Sequence, residues 1–229
     1  MKWIEYVKPT KLDEAIGLLA ENGEKARMMA GGTDLITQLR LPAHFRKPEL
    51  VVDAKGIPEL NEMSYSPKSG LTLGAAVPCY KIYENAEVAA AYPGLIDSAS
   101  LIGGIQIQSR ASIGGNLCNG TPSADAIPAL IAHNVTCTIA GPGGTRKVAV
   151  EDFCTGPSRT VLESTEVLVS MHFPPPPANF GARYIRFIPR NEMDIAVAGA
   201  GVSVVLDNGD IKEARVSLAS VAPTPLFVQ

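Results

Sequence analysis

Two glycine pairs, each followed by small polar residues, are the parts of the sequence best suited to chemistry. The first lies in MAGGTDLI at 29–36, and the second in ASIGGNLCNG at 111–120. Glycine tolerates positive φ, and free N–H groups at a helix N-terminus favour an anion, as does the helix dipole. Hydroxyl and amide side chains nearby can hydrogen-bond further oxygen atoms. Together the two strings predict two turns that hold the pyrophosphate of one dinucleotide.

Either glycine pair alone could serve only as a tight turn. The first pair, however, follows a short apolar stretch and enters a predicted helix, and the second lies among Ser112, Asn119 and Thr121. Neither string contains a lysine. Neutral donors indicate a cofactor that stays bound in a buried site, rather than a nucleotide that is exchanged at every turnover.

Other common sites are missing from the sequence. It has neither a Gly-x-x-x-x-Gly-Lys-Ser/Thr phosphate loop nor a Gly-x-Ser-x-Gly nucleophile motif. The histidines, His44, His133 and His172, are too scattered to predict a metal site. The string GAGVSV at 199–204 lies within a strand pattern instead of preceding a helix, which argues against a Rossmann-type site.

Composition and charge exclude further classes of protein. The net charge of −3 argues against a surface for nucleic acid, and no apolar run has the roughly 18 residues of a membrane span. The N-terminal residues contain no apolar segment typical of a secretory signal. The cysteines are widely spaced, so they predict neither a disulfide scaffold nor an iron–sulfur cluster, and they indicate a reducing, cytoplasmic compartment.

The glycine strings need elements that position them, and the N-terminal residues predict a small α/β unit. A helix is expected from Thr10, as its cap, to Gly23, followed by a short buried strand at Arg27–Ala30. After the first glycine pair, Thr33 is expected to cap a helix that ends near Leu41. A strand is predicted at Leu50–Asp53.

The rest of the chain predicts helices and then strands. A strand is expected from Leu71, then a helical stretch at 79–102 broken at Pro93–Gly94, and a short apolar helix at 123–134. Four prolines at 174–177 form a boundary, because proline cannot join the interior of a sheet. Asn208–Gly209 predicts a hairpin between two of the last strands. The strands are expected at 135–140, 146–150, 165–173, 183–188, 196–206 and 211–222.

The two glycine strings, in this order and about eighty residues apart, resemble a known family. AGGTDL together with SIGGNLCNGTPSADAIPAL is similar to the FAD-binding medium subunits of the molybdenum hydroxylases, such as those of xanthine dehydrogenase and carbon monoxide dehydrogenase. The resemblance extends to the start, YVKPTKLDEAIGLLAENG, and to YIRFIPRNEMDIAVAGAGV after the prolines.

The resemblance implies an α+β fold. Residues 1–176 would form an FAD-binding domain of the vanillyl-alcohol-oxidase/PCMH type, with subdomains at about 1–55 and 56–176. Residues 177–229 would begin an antiparallel-sheet domain like the C-terminal domain of the CO dehydrogenase flavoprotein. That domain is normally longer, so we expect that the sequence is truncated or that partner chains cover its strands.

The resemblance also implies an oxidoreductase subunit with FAD as the cofactor of this chain. Electrons would pass from the 2Fe-2S clusters of a small subunit through FAD to NAD or another acceptor, and a large subunit would hold molybdopterin. Two alternatives remain open at this point. One is a self-sufficient FAD-dependent oxidoreductase of the same fold, and the other is a partner-binding domain that has lost its flavin.

The family's cofactor contacts can be carried over residue by residue. The first string would hold the pyrophosphate together with the second, Ile102 and Cys118 would lie against the flavin ring, and Leu168 near the adenine. Asp125 would contact FAD hydroxyls, although a charge at a helix N-terminus is the alternative. No residue is expected to bind a metal or to act as a catalytic group. The expected contacts are Met28, Met29, Ala30, Gly31, Gly32, Thr33, Asp34, Leu35, Ile102, Ala111, Ser112, Gly114, Gly115, Asn116, Cys118, Asn119, Asp125, Leu168 and Arg186, which replaces the family's usual lysine.

Overall fold

The N-terminal residues form the expected α/β unit, with one strand that the sequence did not reveal. The computed structural model describes residues 3–41, 47–190 and 193–228, so His44 lies outside the described residues. A parallel sheet in the order β1-β3-β2 packs against the buried face of α1, which carries Ala15 and Leu19. The elements are β1 (Glu5–Val7), α1 (Leu12–Asn22), β2 (Ala26–Met29), α2 (Leu35–Arg40) and β3 (Leu50–Asp53).

Both predicted threonine caps are wrong. Helix α1 follows Lys11, and the Thr10 backbone N–H instead donates to Glu14 Oε2 at 3.2 Å. Helix α2 follows Asp34 without a side-chain cap, and the carbonyl of Thr33 accepts a hydrogen bond from the Thr37 hydroxyl. The uncapped start of α2 leaves backbone donors without a protein partner.

The predicted helical stretch at 79–102 is several short helices. The chain breaks at Pro93, as expected, because proline suits the first position of a helix. It also breaks at Asn85, whose side chain accepts a hydrogen bond from the N–H of Val88. The elements from 58 to 132 are α3 (Pro58–Asn61), β4 (Met63–Ser66), β5 (Gly70–Gly74), α4 (Cys79–Tyr83), α5 (Ala86–Ala91), α6 (Pro93–Ala99), α7 (Ile105–Gln108), α8 (Ile113–Asn119) and α9 (Ala126–Ala132).

An antiparallel sheet in the order β4-β5-β10-β6-β7 forms the centre of the molecule. Strand β10 lies in its middle, and Met171 and Phe173 are fully buried there. The expected strands at 135–140, 146–150 and 165–173 are confirmed within a residue or two at each end. The new elements are β6 (Thr136–Gly141), β7 (Gly144–Ala149), β8 (Cys154–Gly156), β9 (Arg159–Thr160) and β10 (Val167–Phe173), of which β8 and β9 pair with each other.

The C-terminal strands form a separate antiparallel sheet, as expected. The predicted hairpin is confirmed, since both Asn208 and Gly209 have positive φ between paired strands. The sheet packs closely on α9, because a Cβ at Gly201 would lie 2.3 Å from the Pro128 carbonyl oxygen. The strands are β11 (Phe180–Phe187), β12 (Ala198–Asp207), β13 (Asp210–Ala219) and β14 (Leu226–Val228).

The proposed domain limits stay a prediction. One buried apolar cluster joins Ala15 and Val52 of the first 55 residues to Leu73 and Met171 beyond them. The α+β class with a C-terminal antiparallel sheet is confirmed. None of the helices in the described ranges is both long and apolar enough to cross a membrane.

Candidate cofactor-binding cleft

A cleft of about 480 Å³ separates the N-terminal α/β unit from the elements that follow it. This volume is in the usual range for small-molecule sites. All the predicted contact residues except Asp125 and Arg186 line this cleft. Its wall includes Met28, Met29, Ala30, Gly31, Gly32, Thr33, Asp34, Leu35, Ile102, Ala111, Ser112, Gly114, Gly115, Asn116, Cys118, Asn119 and Leu168.

The first glycine string is a turn between β2 and α2, as predicted. Gly32 has a φ of +78°, which disfavours any side chain, and a Cβ at Gly31 would lie 1.8 Å from the Arg110 carbonyl oxygen. Among the described residues, none of the backbone N–H groups from Gly31 to Leu35 donates a hydrogen bond to a protein acceptor. Five consecutive donors therefore remain available at the wall of the cleft, where they suit an anion with several oxygens.

The second glycine string is not the predicted turn. Ile113–Asn119 is helix α8, and Ser112 caps it by accepting a hydrogen bond from the Gly115 N–H at 3.0 Å. Neither Gly114 nor Gly115 has positive φ. The cap and tight packing outweigh the low helix propensity of glycine, since a Cβ at Gly114 would lie 2.5 Å from the Ala75 carbonyl oxygen. The prediction of a turn is wrong because these glycines allow close approach rather than chain reversal.

Gly115 faces the first string across the cleft. A Cβ built there would meet only Ser112 Oγ at 3.0 Å and the Ala30 Cβ at 3.9 Å. A larger side chain at this position would therefore extend toward the first string with little else around it. This narrow space beside bare backbone is the feature that a bound diphosphate requires.

Asn116 presents a donor to the same cleft. Its side-chain oxygen accepts a hydrogen bond from the Ala126 N–H at 3.1 Å and so satisfies the N-terminus of α9. The Asn116 Nδ2 group has no acceptor among the described residues. The amide orientation that α9 requires therefore leaves the NH2 group for a ligand.

Asp125 and Arg186 lie behind the cleft wall and bond to each other. Arg186 Nη1 is 3.0 Å from Asp125 Oδ2, and the same nitrogen donates to the Leu101 carbonyl at 3.0 Å. The Tyr184 hydroxyl donates to Asp125 Oδ1 at 2.7 Å. Burial raises the pKa of the Asp125 carboxyl, and the bonds from Tyr184 and Arg186 offset this effect only in part. This buried cluster ties β11 to the residue next to Ile102 in the cleft wall.

Tyr184 is the member of this cluster that sequence reasoning missed. It lies two residues before Arg186 on β11, so both side chains share one face of the strand. Burial and the neighbouring Asp125 raise the pKa of Tyr184, which keeps its hydroxyl a hydrogen-bond donor. The spacing of two residues between Tyr184 and Arg186 could have indicated, from the sequence, that both side chains lie on the same face of a strand.

Part of the cleft wall is formed by a segment, residues 160–167, in which the sequence indicated no contact residue. Arg146 holds Glu166 there through two contacts of 2.7 Å, and these bonds lower the pKa of Glu166 despite its partial burial. The segment carries no motif, so only the fold could place it beside Leu168. The residues of this segment that line the cleft are Thr160, Leu162, Glu163, Ser164, Glu166 and Val167.

Cys118 is exposed at the cleft wall. The protein atoms around it, with a smaller effect of Cys154, raise the pKa of the Cys118 thiol to about 12. The thiol is therefore protonated at neutral pH and is a poor nucleophile. In the described ranges, no group of three or more His, Cys, Asp or Glu side chains could hold a metal ion.

Family models match almost the whole chain. Residues 2–176 match the FAD binding domain in molybdopterin dehydrogenase, and residues 183–229 match the CO dehydrogenase flavoprotein C-terminal domain. The chain belongs to the FAD-binding subunits of the molybdenum hydroxylases. The resemblance inferred from the two glycine strings is thereby confirmed, as is the assignment to the oxidoreductases.

Individual relatives of this FAD-binding subunit agree. It is 35% identical to the xanthine dehydrogenase FAD-binding subunit of Escherichia coli O157:H7, over 98% of this chain and 76% of that protein. It is 32% identical to the carbon monoxide dehydrogenase medium chain of Hydrogenophaga pseudoflava, over 97% of this chain and 76% of that protein. The solved CO dehydrogenase of Hydrogenophaga pseudoflava matches with a TM-score of 0.92 at 32% identity, covering 99% of this chain and 77% of that chain.

The cleft of this FAD-binding subunit fits the cofactor of its family. The five unpaired N–H groups of Gly31–Leu35 and the Asn116 amide offer neutral donors to a diphosphate. The space in front of Gly115 would be filled by a Cβ branch. The apolar residues Ile102 and Leu168 also line the cleft and suit contact with aromatic rings.

Proposed function

We propose that this chain is the FAD-binding electron-transfer subunit of a molybdenum-containing hydroxylase or dehydrogenase. Its cleft would hold FAD with the pyrophosphate between the two glycine strings. The observation that carries this proposal is the run of five backbone N–H groups, Gly31 to Leu35, that line the cleft and have no acceptor among the residues that the structure describes. These N–H groups border an open cleft at the start of α2, and the oxygens of a bound anion would accept their hydrogen bonds.

Each part of the cleft then has a defined task. The first string and the Asn116 amide donate hydrogen bonds to phosphate oxygens, and Gly115 keeps the space between them open. Ile102 and Cys118 border the flavin ring, and Leu168 borders the adenine. Bound flavin supplies the electron-transfer chemistry of the site, and the protein positions it.

Asp125 and Arg186 belong to the proposed site through the wall that they support. Arg186 bonds to the Leu101 carbonyl, one residue before Ile102, and Asp125 holds Arg186 in place. Both residues would thereby fix the surface against which the flavin end of the cofactor packs. The proposed FAD-binding domain is 1–176, with subdomains at about 1–55 and 56–176, followed by the C-terminal domain from 177.

We further propose the path of the electrons. Relatives named as a medium chain and as FAD-binding subunits are parts of larger enzymes. By analogy, a small subunit with 2Fe-2S clusters donates electrons to FAD in this chain, a large subunit holds molybdopterin, and NAD or another acceptor receives the electrons. The free cysteines Cys79, Cys118, Cys137 and Cys154 are consistent with the reducing conditions of the cytoplasm.

Co-expression tests the subunit assignment. The chain alone should be yellow and reducible by dithionite, but it should not oxidise purines, aldehydes or carbon monoxide. Co-expression with a molybdopterin subunit and a 2Fe-2S subunit from the same organism should give a stable complex, detected by size exclusion with light scattering. A monomer that oxidises an organic substrate unaided would favour the self-sufficient flavoenzyme, and a colourless chain that binds no FAD would refute the proposal.

A further inference from the structure

Lys55 reaches the first glycine string from behind the cleft. Its ammonium group donates to the Ala30 carbonyl oxygen at 3.3 Å, although the two residues are 25 positions apart. Ala30 immediately precedes Gly31, so this contact lies at the entrance of the turn. No sequence motif indicated this contact, since neither glycine string contains a lysine.

A buried carboxylate holds Lys55 in this position. Asp53 is fully buried at the end of β3, beside Met29 of β2, and its Oδ1 is 2.5 Å from Lys55 Nζ. Its other oxygen accepts a hydrogen bond from the Tyr6 hydroxyl of β1. Burial favours the neutral acid, but the bonds from Lys55 and Tyr6 outweigh burial and keep the pKa of Asp53 below its usual value. Asp53 is therefore ionised and orients the ammonium group.

The contact fixes the orientation of one peptide unit. The Ala30 carbonyl and the Gly31 N–H belong to the same planar trans peptide, so they point in opposite directions. When Lys55 holds the carbonyl, the Gly31 N–H points away from Lys55 within the same peptide plane. That N–H is the first of the five donors without a protein acceptor.

We infer that Lys55 is a positioning residue for the pyrophosphate of the cofactor, held by Asp53 and acting through the Ala30–Gly31 peptide. Lys55 itself does not line the cleft, so it would not touch the phosphates. The inference rests on the proposed function, because it assumes that the first string binds the pyrophosphate.

The test compares Lys55→Met with Lys25→Met. The second is a matched control in the same α/β unit, where the Lys25 ammonium lies 3.5 Å from a Glu49 oxygen in an exposed pair. Titration of the apoprotein should give a Kd for FAD raised about tenfold or more by Lys55→Met, as expected for a hydrogen bond from a charged group, and unchanged by Lys25→Met. The ³¹P NMR signals of bound FAD should shift in Lys55→Met alone, while the visible flavin spectrum stays the same.

A purely structural role would not move the phosphorus signals. If Lys55→Met binds FAD with the Kd and the ³¹P signals of Lys25→Met, the inference is wrong. If Lys55→Met does not fold, Tyr6→Phe replaces it, because Tyr6 is largely exposed and its hydroxyl bonds only to Asp53 in the described ranges. A smaller rise in Kd with the same phosphorus shift is then expected, and unchanged values would overturn the inference.

A separate variant distinguishes this inference from the proposed site. Gly32→Val should abolish FAD binding, because positive φ strains valine and its side chain would meet Ile36 and Met29. Retention of FAD by Gly32→Val would refute the proposed site itself. Loss of FAD in Gly32→Val with unchanged binding in Lys55→Met would refute only the role of Lys55.

Discussion

Arg186 and Asp125 form a buried ion pair, 3.0 Å between nitrogen and oxygen, that joins the C-terminal sheet to the N-terminus of α9. The same guanidinium also holds the Leu101 carbonyl at the edge of the cleft. One side chain therefore connects the C-terminal sheet, the helix that Asn116 caps and the wall that carries Ile102. Removing it should affect both stability and cofactor affinity.

We predict that Arg186→Met lowers the free energy of unfolding by about 3 kcal/mol, because it leaves the Asp125 carboxylate buried without its cation. Arg186→Lys keeps the charge and should lose less. Urea denaturation of the apoproteins measures both changes. The control is Lys25→Met, since Lys25 pairs with Glu49 at the surface, where both side chains are exposed, and should contribute little. Equal losses for Arg186→Met and Lys25→Met would contradict the prediction.

We predict that His133 makes the protein less stable in acid. Its ring is buried among Tyr92, Phe173 and Phe180, and its Nε2 has no hydrogen-bond partner in the described part of the chain. This burial lowers the pKa of His133 from 6.5 to about 4. The unfolded chain therefore binds the proton first, so stability is retained above about pH 6.5 and falls by about 3 kcal/mol toward pH 4.

Denaturation of His133→Phe across this pH interval checks the prediction. The phenylalanine keeps an aromatic ring in the cluster but cannot be protonated, so the loss of stability between pH 6.5 and 4 should be smaller than in the parent chain. His172→Gln is the control and should follow the parent curve. If His133→Phe and the parent lose the same free energy, His133 is not the source of the pH dependence.

We predict that FAD is bound without a covalent bond. Among the described residues the cleft wall contains no histidine or tyrosine, and the Cys118 thiol is protonated at neutral pH. Acid precipitation of the yellow protein should leave all flavin in the supernatant, with Cys118→Ser giving the same result. Flavin that stays with the pellet of the parent chain, and not with that of Cys118→Ser, would identify a thioether and contradict the prediction.

The two glycine strings could be recognised in the sequence because each is a local pattern. The backbone donors and glycines of the first string, such as Gly32, lie within a few residues of each other, and the family pattern preserves the order of the two strings. Helix α8 was missed because glycine propensity indicated a turn, whereas the Ser112 cap and the packing of Gly114 on Ala75 decide the structure.

Contacts between residues that are far apart in the sequence could not be predicted from local patterns. Tyr184 meets Asp125 across 59 positions, and Lys55 meets Ala30 across 25. Only the packing of β11 on α9, and of β3 beside β2, brings these groups together. The resemblance placed Asp125 and Arg186 at the site, and in the structure they do not line the cleft but bond to each other and, through Arg186, to the Leu101 carbonyl.

The FAD content of Gly115→Val tests the central claim most directly. Gly115 has no positive φ, and a Cβ there meets little but the Ser112 hydroxyl, so the variant should fold while its side chain occupies the space proposed for the pyrophosphate. Gly17→Val, at a helical glycine with open surroundings, is the matched control. The account predicts full FAD occupancy in Gly17→Val and none in Gly115→Val, with a lower melting temperature from the loss of bound ligand. A folded Gly115→Val chain that retains one FAD with unchanged affinity would contradict it.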